Sequence, residues 1–567
     1  MARGGSHTWL ILSLLTWCFL LHPAVTQDSR TGGSWQLLLN STGAVAMHMA
    51  LTHLNTVIMF DQVSAGPSAL RMLGCHDDRN LSCWVHSVEY DVAGNTIRPL
   101  AIDADPWCSS GALLSDGVLL QTGGFRSGSR KINYFTPCSD GRCVWVLSAA
   151  PLSNERWYAT DAVLPEKDCV FVVGGIRAFT YEFVPKSSPG EAAFELPFLR
   201  QTYNKDEKGD NLYPFVHLSS DGNLFIFANR DSILFDYKIN KVIKAFPTMP
   251  DEGPRSYPST ASSVMLPLDH CDGFRKVEIL VCGGAAAGAY GAAKHGNFLP
   301  GMKSCGRLVI TDDATNWEME DMPGPRIMSD VILLPTGDVL LINGATHGCA
   351  GWGMAKYPSF SPYLYNPNAP GGERFTVLNP SSVARMYHST AILLADGRVL
   401  VGGSNPYKEY TYNVTYPTEL RLETFTPHYM EEFFDHKRPS NISIERGGNS
   451  SVGSGIKYGE EFGVLFQIGK RAKQLEFVAY APPFNTHSQS MSQRMLKLEC
   501  RRAEIIGGGG GGRHDGGHAV RAVLVAPPSA VAAPSGYYLL TVVNGGIPSR
   551  SEWLRFVHED EAPANAA

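Results

Sequence analysis

The chain has 567 residues and a formal net charge of −6, with charges of both signs scattered along its length. It contains no basic tract of the kind that binding to nucleic acid or to an anionic membrane requires, so we expect a small or neutral ligand. Its 57 glycines and 36 prolines leave little room for long helices, and the composition therefore predicts an all-β protein.

The N-terminal segment has the pattern of a secretory signal peptide. An apolar run at residues 9–21 follows a basic residue and is too short to cross a bilayer, which takes about 20 residues. Small residues at Ala24 and Thr26 predict cleavage nearby, so residues 1–26 are assigned to the signal. No other run is long enough to span a membrane, and the tail at 559–567 is too polar for a lipid-anchor signal. We therefore expect a secreted, extracellular protein.

Glycosylation sequons and cysteines agree with this route. Five Asn-x-Ser/Thr sequons predict N-glycosylation wherever they are exposed, at Asn40, Asn80, Asn413, Asn441 and Asn449. Twelve cysteines include Cys18 in the signal, and the odd number that remains leaves one unpaired. Short polar turns predict two local disulfides, Cys75/Cys83 and Cys138/Cys143. Cys108 is our candidate for the unpaired thiol, which leaves ten cysteines for up to five disulfides; the alternative pairs Cys108 and leaves Cys169 free.

A strand–turn–strand pattern recurs along most of the chain. Each copy has an apolar strand, a turn of the Asp-Gly type, a second apolar strand and, in most copies, a Gly-Gly break. The seven copies lie at residues 47–60, 109–124, 159–175, 215–227, 261–284, 330–344 and 389–403. Their irregular spacing of roughly 45 to 70 residues is typical of kelch-like repeats with loop insertions. The pattern predicts a seven-bladed β-propeller over residues 27–431.

The repeat stops after Pro427, and a different strand pattern follows. Short alternating strands without a blade period predict an immunoglobulin-like β-sandwich over residues 432–558. A glycine run at 507–512 predicts a flexible loop inside it. His514 and His518 beside that run suggest a metal tract, but no rigid backbone holds them.

Three reactive side chains head equivalent strands of the repeat. Cys108, Tyr158 and Tyr387 each stand four residues before an alanine, and His388 follows Tyr387. Equivalent strands of a ring project from the same end, so these side chains are expected to converge at one mouth of a shared axis. A thiol, two phenols and an imidazole in one place favour a redox-metal centre. Spacing alone does not separate them from Tyr213 and Tyr257, which also lead repeats and are predicted to lie at the channel mouth.

Four segments carry a family resemblance, at residues 105–111, 155–160, 385–389 and 486–494. In this order, on a propeller followed by a sandwich, they resemble the glyoxal oxidase branch of the galactose oxidase family, the copper-radical oxidases, and its plant-type aldehyde oxidases. The resemblance covers essentially the whole mature chain.

The resemblance implies one copper per chain and a role for each matched residue. Cys108 would be bonded through sulfur to the ring of Tyr158, and this thioether-tyrosine would bind copper and hold a protein radical. Tyr387 would be an axial phenolate and proton acceptor, with His388 and His487 as equatorial ligands. His487 lies in the second domain, so its loop would have to pass down the propeller channel.

Two departures from the family concern the substrate. In galactose oxidase a tryptophan stacks on the thioether, two residues after the Gly-Gly that follows the radical tyrosine. The same count in this sequence, from the Gly-Gly that follows Tyr158, reaches Arg177. The planar guanidinium of arginine is also able to stack. The family's sugar-binding arginine has no secure match, which disfavours galactose. Arg177, Tyr213 and Tyr257 are predicted to line the substrate pocket.

The predicted activity is the oxidation of small aldehydes such as glyoxal or methylglyoxal, as hydrates, to carboxylic acids, with O2 reduced to H2O2. Two alternatives stay open: an oxidase of primary alcohols or galactose, and a non-catalytic secreted propeller that binds glycans or proteins. The expected protein is a monomer, in a plant in the apoplast or cell wall, whose partners are the substrate and O2.

Overall fold

The computed structural model describes residues 32–72, 74–75, 83–445, 455–469, 474–507 and 518–558. Its regular structure is almost entirely β, with two short helices, α1 (Pro197–Gln201) and α2 (Ala289–Lys294). In this described part no helix is both long and apolar enough to cross a membrane. The predicted signal peptide, the polar tail and the sequons at Asn80 and Asn449 lie outside the described residues. The all-β prediction is confirmed.

The first two thirds of the chain form small antiparallel sheets, which we number by their first strands. Sheet 1 contains His48–Leu51, Thr56–Phe60, Ser87–Asp91 and Thr96–Leu100. Sheet 2 contains Ser110–Leu113, Leu119–Thr122, Ile132–Phe135 and Trp145–Leu147. Sheet 3 contains Ala159–Val163, Val170–Gly174, Thr180–Val184 and Phe194–Glu195. Sheets 4 and 5 contain Phe215–Leu218, Leu224–Ala228, Asp231–Asp236 and Lys241–Ala245; and Ser262–Met265, Glu278–Cys282, Ser304–Val309 and Glu318–Asp321. Sheets 6 and 7 contain Asp330–Leu333, Val339–Ile342, Tyr363–Tyr365 and Phe375–Val377; and Ser389–Leu393, Val399–Gly403, Leu422–Thr426 and Ser34–Leu39.

The first strands of these sheets form the inner layer of the propeller. Those of sheets 2, 3 and 4 contact one another in turn, as do those of sheets 5, 6, 7 and 1. The outer strand of sheet 7 comes from the N-terminal end, where Ser34–Leu39 pairs antiparallel with Leu422–Thr426. Each predicted repeat coincides with the first hairpin of one sheet. The number of blades in the ring stays a prediction, for which these seven sheets are the candidates.

Two further sheets form the C-terminal sandwich. One contains Ile456–Lys457, Leu475–Ala481, Arg494–Lys497, Gly536–Asn544, Ile547–Pro548 and Glu552–Val557, together with Leu268–Asp269 from the propeller. The other contains Ser440–Glu445, Glu461–Ile468, Glu499–Gly507 and His518–Val525. The predicted domain limits at 26, 431 and 558 stay predictions. The glycine run and His514 fall outside the described residues, while His518 begins an exposed strand end.

The two parts of the chain share backbone pairing and a common core. Leu268–Asp269 adds in parallel to Arg494–Lys497. Phe227 of sheet 4 and Phe477 of the sandwich belong to one buried apolar cluster. In the opposite direction a hairpin of the sandwich segment, Phe484–Thr486 with Gln489–Met491, adds to the first strand of sheet 1. This hairpin also contacts the inner strands of sheets 2, 3, 5, 6 and 7, so it lies inside the ring.

The cysteine predictions were partly right. The disulfides Cys75–Cys83 and Cys138–Cys143 are confirmed, and a third, Cys282–Cys305, joins neighbouring strands of sheet 5. Cys108 is a buried free thiol, so the alternative that pairs it is wrong. Three other described cysteines are also unpaired, at Cys169, Cys271 and Cys349. The five possible disulfides are therefore not reached, and the odd count alone did not identify Cys108.

Candidate active site

One or two residues before each of six inner strands, the chain has a residue with a positive φ, which we call the head residue of that strand. Residues other than glycine rarely adopt a positive φ, so the backbone is strained at each of these points. The six residues are Cys108 (52°), Tyr158 (69°), Tyr213 (47°), Thr260 (52°), Met328 (58°) and His388 (66°). The strained turn aims these side chains toward the axis at one end of the ring, which is where the sequence placed its candidate residues.

The strand register corrects one predicted equivalence. In sheet 3, Ala159 pairs with Gly174, which places Tyr158 opposite Gly175. In sheet 7, Ser389 pairs with Gly403, so His388 and not Tyr387 is the counterpart of Tyr158. Tyr387 is instead the counterpart of Trp157, since their carbonyls accept equivalent hydrogen bonds, from Asn405 and Ile176 respectively. Counting to the next alanine was wrong by one residue at this strand.

His487 reaches this end of the ring on the tip of the inserted hairpin. Thr486 pairs with Gln489, so the loop is the two residues His487 and Ser488, with φ of 47° and 66°. Two successive positive φ values are typical of a type I′ turn, which joins tightly twisted strands. The hydroxyl of Thr486 lies 2.5 Å from Nδ1 of His487, which leaves Nε2 to face the cluster. The predicted passage of this loop into the channel is present.

Cys108 and Tyr158 are neighbours at the centre of the cluster. Both are buried, and the backbone N–H of Tyr158 donates to the carbonyl of Cys108 at 3.0 Å. The thiol lies 3.1 Å from Nε2 of His487. Burial raises the pKa of Cys108 well above its usual value, and the Tyr158 hydroxyl acts against that rise by hydrogen bonding. The thiol and the phenol are therefore neighbours in the buried cluster.

Three phenols form a hydrogen-bonded row beside this pair. Tyr257 donates to the hydroxyl of Tyr158 at 3.1 Å, and its hydroxyl lies 2.7 Å from that of Tyr387. Burial raises the pKa of Tyr158 and Tyr387 well above the usual value, and the neighbouring phenols add to the rise. Tyr213 donates to the carbonyl of Ser109 at 2.9 Å, and its ring lies 5.2 Å from that of His487. Both tyrosines predicted for the channel mouth thus belong to the cluster.

The two histidines are buried and carry no proton charge. His388 and His487 lie with ring centroids 5.0 Å apart, and neither ring nitrogen of His388 has a hydrogen-bond partner in the described structure. Burial lowers the pKa of both well below the usual value, so both are neutral, the form that binds metals. Donor atoms of Cys108, His388 and His487 all lie within 4.8 Å of one another. Imidazoles with phenol oxygens fit the tetragonal coordination that Cu(II) prefers.

Buried arginines fix the segments that lead into these strand heads. Arg156 donates to the carbonyl of Gly174 at 2.8 Å and pairs with Glu182 at 2.8 Å. Arg385 repeats this arrangement, with the carbonyl of Gly403 at 2.9 Å and Glu423 at 2.7 Å. The sequence offered both arginines only as parts of the family segments. Their function is to hold the turn that carries Tyr158 and the turn that carries Tyr387 and His388.

The structure does not bring every predicted residue together. Arg177 is exposed, and within the described structure it makes no ring contact with Tyr158. Two other side chains take positions on that ring: Trp157, at 4.9 Å between centroids, and Lys208, whose ammonium is 5.4 Å from the centroid. Lys208 gave no signal in the sequence, because its loop lies outside the repeat. His48, buried and 5.9 Å from the His487 ring, was also missed.

Two cavities differ in their relation to the cluster. A small one, of about 10 Å³, is lined by residues that include Tyr387, His388 and His487 and has room for about one water molecule. A larger one of about 70 Å³ lies between the propeller and the sandwich, beside His53 and His217. His217 is half-buried there, with its ring nitrogen 2.9 Å from the hydroxyl of Ser263. The larger cavity lacks the donor cluster, whereas the small one adjoins it.

Comparisons with known proteins identify the family of the chain. Residues 47–429 match the glyoxal oxidase N-terminus family, and residues 442–556 match the galactose oxidase-like early set domain. The chain is 42% identical over 541 residues to aldehyde oxidase GLOX1 of Arabidopsis thaliana, covering 93% of this chain and 85% of that protein. It is also 42% identical over 548 residues to aldehyde oxidase GLOX of Vitis pseudoreticulata, covering 95% and 100%.

A solved structure shares the fold. It is that of a fungal alcohol oxidase of the AA5 family in complex with copper, and it aligns with a TM-score of 0.67 at 16% identity, over 93% of this chain and all of that one. The resemblance predicted from four sequence segments is confirmed. The chain belongs to the glyoxal oxidase family of copper-radical oxidases.

Proposed function

We propose that the protein oxidises small aldehydes, as their hydrates, to carboxylic acids while O2 is reduced to H2O2. The observation that carries the proposal is the convergence of a buried thiol, buried phenols and two neutral imidazoles: Cys108, Tyr158, Tyr387, His388 and His487. The balanced reaction is R-CHO plus H2O and O2 giving R-COOH and H2O2. A non-catalytic propeller would gain nothing from burying these groups together, since each buried polar group costs free energy.

Each residue of the cluster has a role in this proposal. His388, His487, Tyr158 and Tyr387 would hold one copper, which would supply one-electron redox chemistry and Lewis acidity. Tyr387 takes the proton from a substrate hydroxyl, and its contact with Tyr257 offers that proton a next position. The Tyr158 side chain, as a radical, takes the hydrogen atom from the substrate carbon. The inserted hairpin excludes water from the side of the cluster that faces the sandwich.

The proposed cofactor includes a bond between the Cys108 sulfur and the Tyr158 ring. Forming it removes two hydrogens, which O2 accepts during copper loading in air. A tyrosine with a thioether substituent is easier to oxidise than an unmodified one, which suits a one-electron centre. Peptide mapping after copper loading should recover the two peptides linked, with a mass two hydrogens below their sum. Separate peptides with Cys108 fully alkylated would contradict this cofactor.

A peroxide assay tests the activity itself. Copper-loaded protein in air should produce H2O2 with glyoxal or methylglyoxal, and kcat/KM for these should exceed that for galactose at least about tenfold, a difference of about 1.4 kcal/mol in transition-state free energy. Deuterium on the reacting carbon should slow kcat/KM. Galactose as the better substrate would favour the primary-alcohol alternative while leaving the radical mechanism in place. No peroxide with any aldehyde or alcohol would favour the non-catalytic alternative.

We also propose that the protein is secreted and acts as a monomer. Three disulfides support an oxidising compartment. The three sequons within the described residues, at Asn40, Asn413 and Asn441, are all exposed and therefore accessible to glycosylation. Expression in plant cells should yield the protein in the extracellular fluid, with a mass that falls after glycosidase treatment. Retention inside the cell in an unglycosylated form would contradict secretion.

A further inference from the structure

A lysine lies over the two stacked phenol rings of the site. The Lys208 ammonium is 5.4 Å from the ring centroid of Tyr158 and 5.4 Å from that of Tyr257. The two rings are stacked on each other, with centroids 4.4 Å apart and 29° between their planes. One cation therefore faces both the proposed radical residue and the phenol that is hydrogen-bonded to it.

The position of Lys208 is fixed by its own loop. The residues on either side of this loop, Asn204 and Gly209, exchange two backbone hydrogen bonds of 2.8 Å. Lys208 itself has a φ of 61° and ends a single 3-10 turn at Lys205–Glu207. The side chain is half-buried, so the ammonium is directed inward by a closed loop.

The nearby carboxylates are committed elsewhere. Glu207 accepts hydrogen bonds from the backbone N–H groups of Tyr290 and Gly291, at 3.1 and 3.3 Å. Asp210 accepts from the side chain of Asn204 at 3.1 Å. Within the described structure no carboxylate forms an ion pair with Lys208, so its charge acts on the phenol rings without a neutralising partner.

A cation over a ring face stabilises the electron-rich state of that ring. The same charge reaches the rest of the cluster. Burial raises the pKa of the Cys108 thiol, and the Lys208 ammonium acts against that rise. Burial lowers the pKa of His487, and Lys208 adds to that decrease. The Lys208 charge thus acts on Cys108 and His487 as well as on the two phenol rings.

We propose that Lys208 is a positioning residue that raises the oxidation potential of Tyr158 from outside the ligand set. This inference rests on the proposed radical function. The step concerned is the loss of one electron from Tyr158 to a one-electron oxidant, which gives the phenoxyl radical and the reduced oxidant; where the phenol is protonated, its proton leaves to solvent in the same step. The ammonium stabilises the phenolate more than the neutral radical, so it makes this step harder. It keeps the radical from forming with weak oxidants.

The test is a redox titration of matched variants. Wild type, Lys208→Met and Lys208→Arg are titrated with one-electron oxidants of graded potential, such as the ferricyanide couple, while the radical is followed by absorbance and electron paramagnetic resonance. The titration is repeated on cross-linked protein from which copper has been removed. Lys238→Met is the control, because that ammonium lies 5.6 Å from a different phenol ring, that of Tyr237. We expect a lower midpoint potential in Lys208→Met only, and a value close to wild type in Lys208→Arg.

Each other outcome argues against the proposal. Equal midpoints in wild type and Lys208→Met would overturn it, as would a raised KM with an unchanged midpoint, which would make Lys208 a substrate anchor. If Lys208→Met fails to fold, Lys208→Gln is titrated in its place, with copper content and melting temperature as checks. A wild type that yields no Tyr158 radical with any oxidant would overturn the proposed function and leave Lys208 no radical to tune. A radical that forms at the same potential in all variants would overturn the role of Lys208 alone.

Discussion

Sheets 3 and 7 each place a buried arginine just before the first inner strand, and each arginine is paired with a glutamate on the third strand. In sheet 3 the head residue follows the arginine by two positions, from Arg156 to Tyr158. In sheet 7 the interval is three, from Arg385 to His388. The extra residue allows sheet 7 to present Tyr387 and His388 together, whereas sheet 3 presents Tyr158 next to Trp157. One inserted residue thus turns a strand head with one proposed ligand into a strand head with two.

The largest expected effect separates the two adjacent residues of sheet 7. His388→Ala removes a ring whose two nitrogens have no hydrogen-bond partner among the described residues, so copper binding and peroxide production should both be lost. Tyr387→Phe keeps the histidines and should retain copper, while kcat/KM falls by about 10²-fold or more because the proton acceptor is gone. Metal analysis and the peroxide assay measure the two properties separately. His217→Ala, at a half-buried histidine outside the donor cluster, is the matched control and should retain copper.

The next effect breaks the shared construction of the two sheets. Arg385→Met leaves Glu423 buried without its partner, and loss of one partner of a buried pair costs about 3–5 kcal/mol of unfolding free energy. Arg156→Met should cost a similar amount through Glu182. Midpoints of urea unfolding provide the measurement. Arg398→Met removes a partly exposed pair with Asp396 on the same sheet and should cost no more than about 1 kcal/mol. Equal losses of unfolding free energy in Arg385→Met and Arg398→Met would contradict the role of Arg385 in holding the turn.

The fold was largely readable from the sequence, because strand patterns and turn chemistry are local. The hairpins of sheets 1 to 7 were found as repeats, and the disulfides Cys75–Cys83 and Cys138–Cys143 followed from their short separation. The register at His388 was missed because the inserted residue changes the count without changing the pattern. The decisive information is the pairing of Ser389 with Gly403, a contact between strands that sequence spacing does not state.

The sequence predicted some residues of the candidate site and missed others. Cys108, Tyr158, Tyr387 and His388 lie in repeated or family-like segments, and their convergence follows from the ring. Lys208 lies on a loop between sheets 3 and 4, where no repeat fixes its direction. The guanidinium of Arg177 was expected on the Tyr158 ring from a count along the chain. It is exposed instead, since that count does not determine on which side of the turn a side chain emerges.

A third effect compares the propeller with the hairpin inserted into it. His487 is the one proposed ligand outside sheets 1 to 7, so bound copper links the hairpin to the ring. A ligand that binds only the folded state stabilises it, by about 2.7 kcal/mol when its free concentration is a hundred times Kd. Copper loading should therefore raise the Tm of wild type, with a much smaller rise in His487→Ala. Scanning calorimetry with and without copper checks this, and wild-type affinity in that variant would remove His487 from the ligand set.

The smallest expected effect concerns the third residue after the head residue in sheets 3 and 7, counted from Tyr158 and from His388. Sheet 7 has Ala391 there, whereas sheet 3 has Asp161, whose carboxylate accepts from the hydroxyls of Ser110 and Thr122 at 2.7 and 2.9 Å. Burial raises the pKa of Asp161 to about 7, and the two hydroxyls only partly offset that rise. The folded state therefore holds this proton more tightly than the unfolded state. Stability should be lost as pH rises from about 4 through 7.

Asp161→Asn tests this contribution, because the amide keeps an acceptor oxygen and does not ionise in this range. Each unit of pKa difference corresponds to about 1.4 kcal/mol, and relaxation of the hydroxyls absorbs part of it, so we expect on the order of 1 kcal/mol. The urea midpoint of wild type, measured relative to Asp161→Asn, should fall between pH 5 and pH 8. Asp330 in sheet 6, whose pKa burial raises to about 8, is present in both proteins and cancels in the difference. Parallel pH profiles would mean that Asp161 ionises freely in the folded protein, and that the polar strand of sheet 3 is no more sensitive to pH than the apolar strand of sheet 7.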